Sequence, residues 1–479
     1  MNKDDLSKNN KENSSKNDDL TAPAPRPERF VKIIVMVATI GAIAFGYDTG
    51  VIAGALPFMT RSAAQGGLDL TPLTEGIVTS SLIFGAAIGA FIAGRLSDRF
   101  GRRKALIVLA AIFFVGALGT AIAPNIPVMV FFRVILGLAV GGSSAIVPMF
   151  IAEIAPADKR GPLVSQSELM IVSGQLLAYT SNAVIATTFE DSVGIWRYML
   201  AIAAIPAALL FLGMIFMPES PRWLASNGYI DKARKILFKI REPNEAKTEF
   251  EEISANAESS VEKSSLKDLA PYWIKRMIFI GAGLGIVSQL SGVNSIMYFA
   301  PSILLQTGLS TKAALTATIG NGVISVIATL VGMFFLTRFN RRPIMITGIS
   351  GIILTHLALG YVYSLPSSPT NSYILLGIMM VFLFFVQSMV STIYWLMMSV
   401  LFPQHIRGLA TGIAVCFQWL ANGLVTLFFP TILSALGGQT FFIFAAVNVV
   451  SLLFVIKFLP EIKGKSLEEL ETEFEAAGQ

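Results

Sequence analysis

Apolar residues run in long blocks separated by short polar loops from Val31 to Leu459. Twelve blocks are long enough to cross a bilayer at roughly 20 residues per helical crossing. They cover 31–59, 74–97, 104–123, 127–154, 162–187, 194–217, 273–302, 311–336, 342–363, 372–402, 407–433 and 438–459. Periodicity does not separate the faces of blocks this apolar, so length and Gly/Pro punctuation carry the assignment. The prediction is an all-α membrane protein with twelve transmembrane helices, and the even number puts both termini on one side.

Three stretches break the pattern. Residues 1–30 are rich in Lys, Asn, Asp and Ser, then Pro, and are expected to be a disordered tail. They are not expected to be a signal peptide, because the first apolar block starts late and runs too long. Residues 218–272 are charged, with helical stretches at 230–240 and 249–262, and are predicted to link a six-span half, 31–217, to a second, 273–459. Residues 460–479 form a second polar tail, helical in character over 466–474.

Composition agrees: 54% of the 479 residues are hydrophobic and 14% charged, with a mean hydropathy of +0.66. A soluble chain carries about 25% charged residues. The net charge of +5 and pI near 9.1 do not point to nucleic acid, because the basic residues sit in short loops between apolar blocks. Loop 2–3 carries Arg95, Arg99, Arg102, Arg103 and Lys104; loop 4–5 carries Lys159 and Arg160; loop 8–9 carries Arg338, Arg341 and Arg342. The opposite loops hold little beyond Arg61, Arg197 and Lys312. This bias predicts that both termini are cytoplasmic, in a cell's inner (plasma) membrane. The lone Cys416 argues against a disulfide framework or a Cys metal site, and His356 and His405 are too far apart in sequence to suggest a cluster. With no nucleophile–His pair and no phosphate loop, an enzyme is poorly supported.

The chain also repeats itself. Asp98-Arg99-Phe100-Gly101-Arg102-Arg103 answers Thr337-Arg338-Phe339-Asn340-Arg341-Arg342, offset by 239 residues. Ala155-Pro156-Ala157-Asp158-Lys159-Arg160-Gly161 answers Phe402-Pro403-Gln404-His405-Ile406-Arg407-Gly408, offset by 247, and Pro218-Glu219 answers Pro460-Glu461, offset by 242. Two six-helix halves in parallel repeat are a transporter architecture, with the binding site between them near mid-membrane.

The loop Gly94-Arg95-Leu96-Ser97-Asp98-Arg99-Phe100-Gly101-Arg102-Arg103 resembles the signature of the major facilitator superfamily. Arg133 through Gly137, Pro218-Glu219-Ser220-Pro221-Arg222-Trp223-Leu224, Gln289-Leu290-Ser291-Gly292-Val293-Asn294 and Pro460-Glu461-Ile462-Lys463-Gly464 resemble its sugar-porter branch. The stretch from Glu168 to Leu177 is most similar to bacterial proton-coupled myo-inositol transporters. The resemblance spans about 31–474 and implies two pseudo-symmetric six-helix bundles.

Asp48 is a single carboxylate in the apolar block 31–59. Near a bilayer centre a charge costs at least about 3 kcal/mol, so it needs a partner or a cavity. It is either paired for helix packing or a proton site. Arg133, about a third of the way into span four, is the expected counter-charge, a pairing the resemblance also implies. A buried Arg favours the ionised carboxylate and desolvation favours the neutral acid, so separating the two would let Asp48 take a proton. The family's passive carriers resemble this segment but carry Asn there, so an acid favours symport, with the proton as coupling ion and no other cofactor.

Glu168 and Gln175, seven apart, share one face of span five. The resemblance places both against the sugar, usually with Gln first. A Glu supplies an acceptor-only carboxylate suited to two vicinal hydroxyls of a polyol; it could equally be a second titrating group or a solvated vestibule carboxylate. The resemblance extends the substrate set to Gln289, Asn294 and Tyr298 in span seven, Asn321 in span eight, Trp395 in span ten, and Gln418, Trp419 and Asn422 in span eleven. Amides serve a ring of hydroxyls as donors and acceptors, and an indole packs on its apolar face. Any one of them alone is more often packing glue.

The charged loops are expected to latch helix ends: Asp98 with Arg102 and Arg103, Glu153 with Arg160, Glu219 with Arg222, and Arg338, Arg341 and Arg407 in the second half. The chain departs from the family pattern at Ser288, where a second Gln is usual. It departs again at Ser399-Val400, where Ser-Glu is usual, which predicts a weaker latch in the second half. A third departure is Ala203, in a span-six region where the family often has Glu. The expected function is proton-coupled import of a polyol or monosaccharide, myo-inositol ahead of glucose, galactose, xylose and arabinose, by a protein working as a monomer. A facilitative carrier is the next reading. A non-transporting sensor would usually carry a long signalling tail, and only 20 residues follow Leu459.

Overall fold

The computed structural model describes residues 27–156, 160–189, 192–258, 269–402 and 406–461. Twelve helices are long and apolar enough to cross a membrane: Pro27–Met59, Pro72–Phe100, Arg102–Ile122, Ile126–Ile154, Gln166–Thr188, Ile195–Phe216, Tyr272–Gln306, Thr311–Arg338, Arg341–Tyr363, Pro369–Met398, Leu409–Leu436 and Gln439–Phe458. They are spans one to twelve.

Their starts have local causes. Thr71 caps span two in a capping box with Thr74, with Pro72 at the first helical position. Asn125, Ser310 and Ser368 cap spans four, eight and ten by accepting a backbone N–H. Span one begins at Pro27, four residues before the hydropathy pattern suggests, because Pro suits a first turn and Glu28 follows it there. Residues 27–30 are therefore helical and do not belong to a disordered tail; residues 1–26 lie outside the described residues.

The two sets of six spans pack in the same pattern. Spans one and five, two and four, and three and six pair in the first set; seven and eleven, eight and ten, and nine and twelve pair in the second. Spans two with eleven, five with eight, and one with the second part of seven join the sets. The repeat extends to single bonds. The Glu219 carboxylate accepts the backbone N–H groups of Arg102 (2.9 Å) and Arg103 (3.0 Å), capping span three. Glu461 accepts those of Arg341 (3.2 Å) and Arg342 (3.1 Å), capping span nine. Each cap places a full negative charge at a helix N-terminus, where orphan donors and the macrodipole favour it.

Spans one and five touch backbone to backbone. A Cβ at Gly46 would lie 1.8 Å from the Ile171 carbonyl oxygen, one at Gly50 2.9 Å from that of Gln175, and one at Gly54 2.2 Å from Asn182 Nδ2. The four-residue spacing lines these glycines along one face. Asn182 donates to the carbonyls of Gly50 and Val51, both at 3.2 Å, and Tyr47 shares a 2.7 Å hydrogen bond with Ser181.

Among the described residues, the close glycine contacts of spans two and eleven lie at one end. A Cβ at Gly76 would lie 2.0 Å from the Leu427 carbonyl oxygen, and Gly423 lies against the Phe84 ring. Gly94 shares the face of Gly76, 18 residues or five turns away, and Gly412 shares that of Gly423. A Cβ at Gly94 or Gly412 would meet nothing within 4 Å. The two helices are in contact at the end away from the basic loops and splay apart toward them.

Over its described residues 218–258, the segment after span six folds as three helices, Pro221–Ser226, Ile230–Ile240 and Pro243–Glu258. The last starts six residues before the sequence pattern suggests, again with Pro at the first helical position. Residues 259–268, where it was expected to end, lie outside the described residues, as does 466–474. Arg241 ties this segment to the bundle: its guanidinium donates to the carbonyls of Ile154 (2.8 Å) and Ala155 (2.9 Å) at the end of span four and to Glu249 (2.8 Å).

Candidate functional site

Asp48 and Arg133 are each 1% exposed. Arg133 Nη1 donates to both carboxylate oxygens, at 3.2 and 3.3 Å, and Nε donates to the Val78 carbonyl at 3.4 Å. Span one packs on span five through its glycine face and carries the acid on the opposite side, two residues from Gly46 and Gly50; there span four supplies the cation and span two supplies a carbonyl for it. A buried ion pair of this kind is weak evidence for stability, but breaking it leaves an uncompensated charge.

Span seven is broken where the sequence has Ser291-Gly292. Gly292 takes φ +80°, a left-handed conformation natural to glycine, between the pieces Tyr272–Leu290 and Val293–Gln306. Asn448 of span twelve donates to the exposed Leu290 carbonyl at 3.1 Å, and Asn294 donates to Gln289 Oε1 at 2.7 Å across the break. Tyr298, on the second piece, turns its hydroxyl to the side chains of Thr49 and Asn422 and lies within electrostatic reach of Asp48 and Arg133. Tyr179 of span five donates to the Met297 carbonyl at 2.9 Å, so this piece touches both sets of spans.

Gln175 and Asn321 stand where spans five and eight pack, and Trp419 and Asn422 reach span one and Tyr298. Gln175 and Asn321 are buried, and among the described residues Gln175 Oε1 and both side-chain polar atoms of Asn321 lack a hydrogen-bond partner. Trp419 Nε1 also lacks one, while its ring packs on Phe45 at 5.9 Å between centroids. Gln418 accepts from Tyr394 at 2.8 Å, and Asn422 Oδ1 accepts from Thr426 at 3.2 Å. Unpaired buried polar atoms are costly, so several at one interface are what a ring of hydroxyls or water would satisfy. Glu168 is half-buried. Trp395 is 37% exposed, its ring edge against Tyr394, just after a π-helical turn at Val386–Ser391. Such turns often re-aim side chains at functional sites.

The latch residues group differently from expectation in two places. Arg102 pairs with Asp98 (3.0 Å) and with Glu153 (3.1 Å), whereas Arg103 turns to the Met214 and Ile215 carbonyls of span six. Glu219 is committed to backbone N–H groups, and Arg222 reaches Glu249 at 4.0 Å instead of pairing with it. The side chains of Arg160 and Arg407 lie outside the described residues. In the second half, among the described residues, the Arg341 guanidinium donates a 3.4 Å bond to the Phe339 carbonyl and its buried Nε has no partner. Arg338 makes a cation–π contact with Phe334 at 5.2 Å. Thr337 and Val400 occupy the repeat positions of Asp98 and Glu153, which explains the difference.

Sequence reasoning missed Thr49, Asn182 and Arg241. The four-residue spacing of Gly46, Gly50 and Gly54 was a legible sign of close packing. Nothing in the sequence pairs Arg241 with the end of span four.

The sequence matches the family model described as "Sugar (and other) transporter" over residues 34–474. It is 50% identical to the putative metabolite transport protein YncC of Bacillus subtilis, over 93% of this chain and 95% of that one. It is 48% identical to the major myo-inositol transporter IolT of the same organism, with the same two coverages. Among solved structures, it is similar to the xylose transporter XylE from E. coli in a partially occluded inward-open conformation, with 33% identity and a TM-score of 0.80 over 91% of this chain and 100% of that one. The same protein, described as a proton:xylose symporter and bound to 6-bromo-6-deoxy-D-glucose, matches with 33% identity and a TM-score of 0.76 over 94% of this chain and 100% of that one.

Proposed function

The chain belongs to the sugar transporter family and is a multi-pass membrane transporter of the major facilitator fold, and we propose that it imports a polyol or monosaccharide together with protons, with myo-inositol as first-choice cargo. The bundles 31–217 and 273–459 rock about the cargo between them, with both termini in the cytoplasm of the cell whose plasma membrane holds the protein. The protein works as a monomer. With the basic loops cytoplasmic, the splayed ends of spans two and eleven face inward.

The observation that carries this reading is the buried Asp48–Arg133 pair beside unpartnered amide and indole groups. Asp48 binds and releases the coupling proton. Tyr298, which touches Thr49 beside that acid and Asn422 of the opposite bundle, links proton and cargo. Gln175, Gln289, Asn294, Asn321, Gln418 and Trp419 hold the cargo hydroxyls and ring, with Trp395 at the open side. Likeness to IolT supports myo-inositol; likeness to XylE supports a pentose or hexose as the second reading.

The test is uptake of labelled myo-inositol into proteoliposomes under an inward proton gradient. Accumulation should collapse with a protonophore. Asp48→Asn should keep exchange and lose uphill uptake. Wild-type protein that never exceeds equilibrium would remove proton coupling and leave a facilitative carrier. Competition by xylose or glucose but not myo-inositol would favour the second cargo.

A further inference from the structure

A second carboxylate lies where the two bundles seal. Glu75 stands in the first turn of span two and is half-buried; Ser302 of span seven donates to its Oε1 in a long, 3.4 Å hydrogen bond. Gly76, the next residue, carries the backbone contact with Leu427 of span eleven. Glu75 thus sits where spans two, seven and eleven meet.

The surroundings of Glu75 supply no counter-charge. Among the described residues no cationic group lies within ion-pair distance of it. Of the helices packed against span two, span four offers Arg133, committed to Asp48, and Glu153 at the far end. Span three offers Arg102, Arg103 and Lys104, also at the far end, and span eleven offers Cys416 and, at the far end, Arg407. The second piece of span seven offers only Tyr298. Span two's own Arg95, Asp98 and Arg99 are at its other end. Val78, one turn inward of Glu75, gives its carbonyl to Arg133, and Tyr298 stands one turn from Ser302. The acid therefore lies one turn outward of the Asp48–Arg133 pair, on the face that closes.

We propose that Glu75 is a proton-operated latch on the outer gate. When the outer end is open, external water solvates the carboxylate. Closing the end strips that water and offers one hydroxyl in return, so closure goes with uptake of a proton from the external side onto the carboxylate. Reopening returns the proton to the same side. Glu75 therefore sets how fast the outer gate closes at a given external pH, while the transported proton stays with Asp48.

The inference rests on the transport reading, and two measurements separate their failures. In the first, counterflow of labelled myo-inositol, with D-xylose as a second probe, is followed in proteoliposomes at external pH 6 to 9. In Asp48→Asn the rate should fall on the alkaline side, toward about tenfold per unit for one proton. Asp48→Asn/Glu75→Gln should be flat, and Glu75→Asp should retain the fall. Glu75→Gln alone should still accumulate cargo. The second measurement needs no cargo: Leu427→Cys in a Cys416→Ser background is labelled from outside by an impermeant maleimide. Labelling should rise with external pH more steeply when Glu75 is retained than when Glu75→Gln is added to that background. Equal pH dependence with and without Glu75 in both assays would overturn the latch and leave Asp48 coupling intact; loss of accumulation in Glu75→Gln would overturn the division of labour.

Discussion

Glu168 and Gln175 lie seven residues apart on one face of span five, and Gln175 is buried with its Oε1 unpartnered among the described residues. A carboxylate accepts from two neighbouring hydroxyls and donates none, whereas an amide does both. Glu168→Gln should therefore shift preference from myo-inositol toward hexoses, by about tenfold if one charge-assisted hydrogen bond of roughly 1.5 kcal/mol is lost. A competition panel of glucose against labelled myo-inositol reads it, and unchanged ratios would dispose of the role. At this scale the sequence was informative wherever chemistry is conspicuous: an acid, an arginine and several amides in apolar blocks stand out because membranes make them expensive. It was silent on Thr49 and Asn182, small polar residues that look like filler until the fold brings partners from more than a hundred residues away.

Among the helices, the contact between spans one and five fixes where Asp48 sits. The carbonyl of Ile171 occupies the place a side chain at Gly46 would need. Gly46→Leu should force the helices apart, costing about 1–3 kcal/mol of stability or more, read as a lower thermal midpoint in detergent. Gly377, whose Cβ would meet nothing within 4 Å, is the control: Gly377→Ala should leave the midpoint unchanged or raised. Helix number and order were legible from hydropathy, because a bilayer demands a minimum apolar length. Helix ends at 27 and 243 were not, because Pro reads as punctuation in sequence yet is welcome in a first turn. The break in span seven was foreshadowed by Gly292, but its left-handed turn is a backbone property.

For the whole molecule, the two halves share an architecture, and among the described residues Arg102 and its repeat partner Arg341 differ in their ion pairs. Arg102 has two carboxylates; for Arg341, the sequence places Thr337 and Val400 at the corresponding positions, and among the described residues its Nε is unpaired. Restoring the acid with Val400→Glu should strengthen the contacts at the end that carries the basic loops, which on the proposed orientation shifts the population away from the inward-open state. Cytoplasm-side labelling of Gly412→Cys, in a Cys416→Ser background, should fall several-fold relative to the same variant with Val400 retained. The offset of 247 residues made this difference readable in the sequence, whereas which end of the molecule stands open was not, since both ends have helices of similar composition.

The one-sided contact of spans two and eleven has a consequence for how uptake is paced in the cell. Under the proposed function and orientation, a carrier whose empty site is turned toward the cytoplasm meets its own product there. As the internal store grows, more copies are reoccupied before they can turn back, and net import slows at constant external supply. On that reading an inward-facing shape works as feedback, with the cargo already inside as its signal.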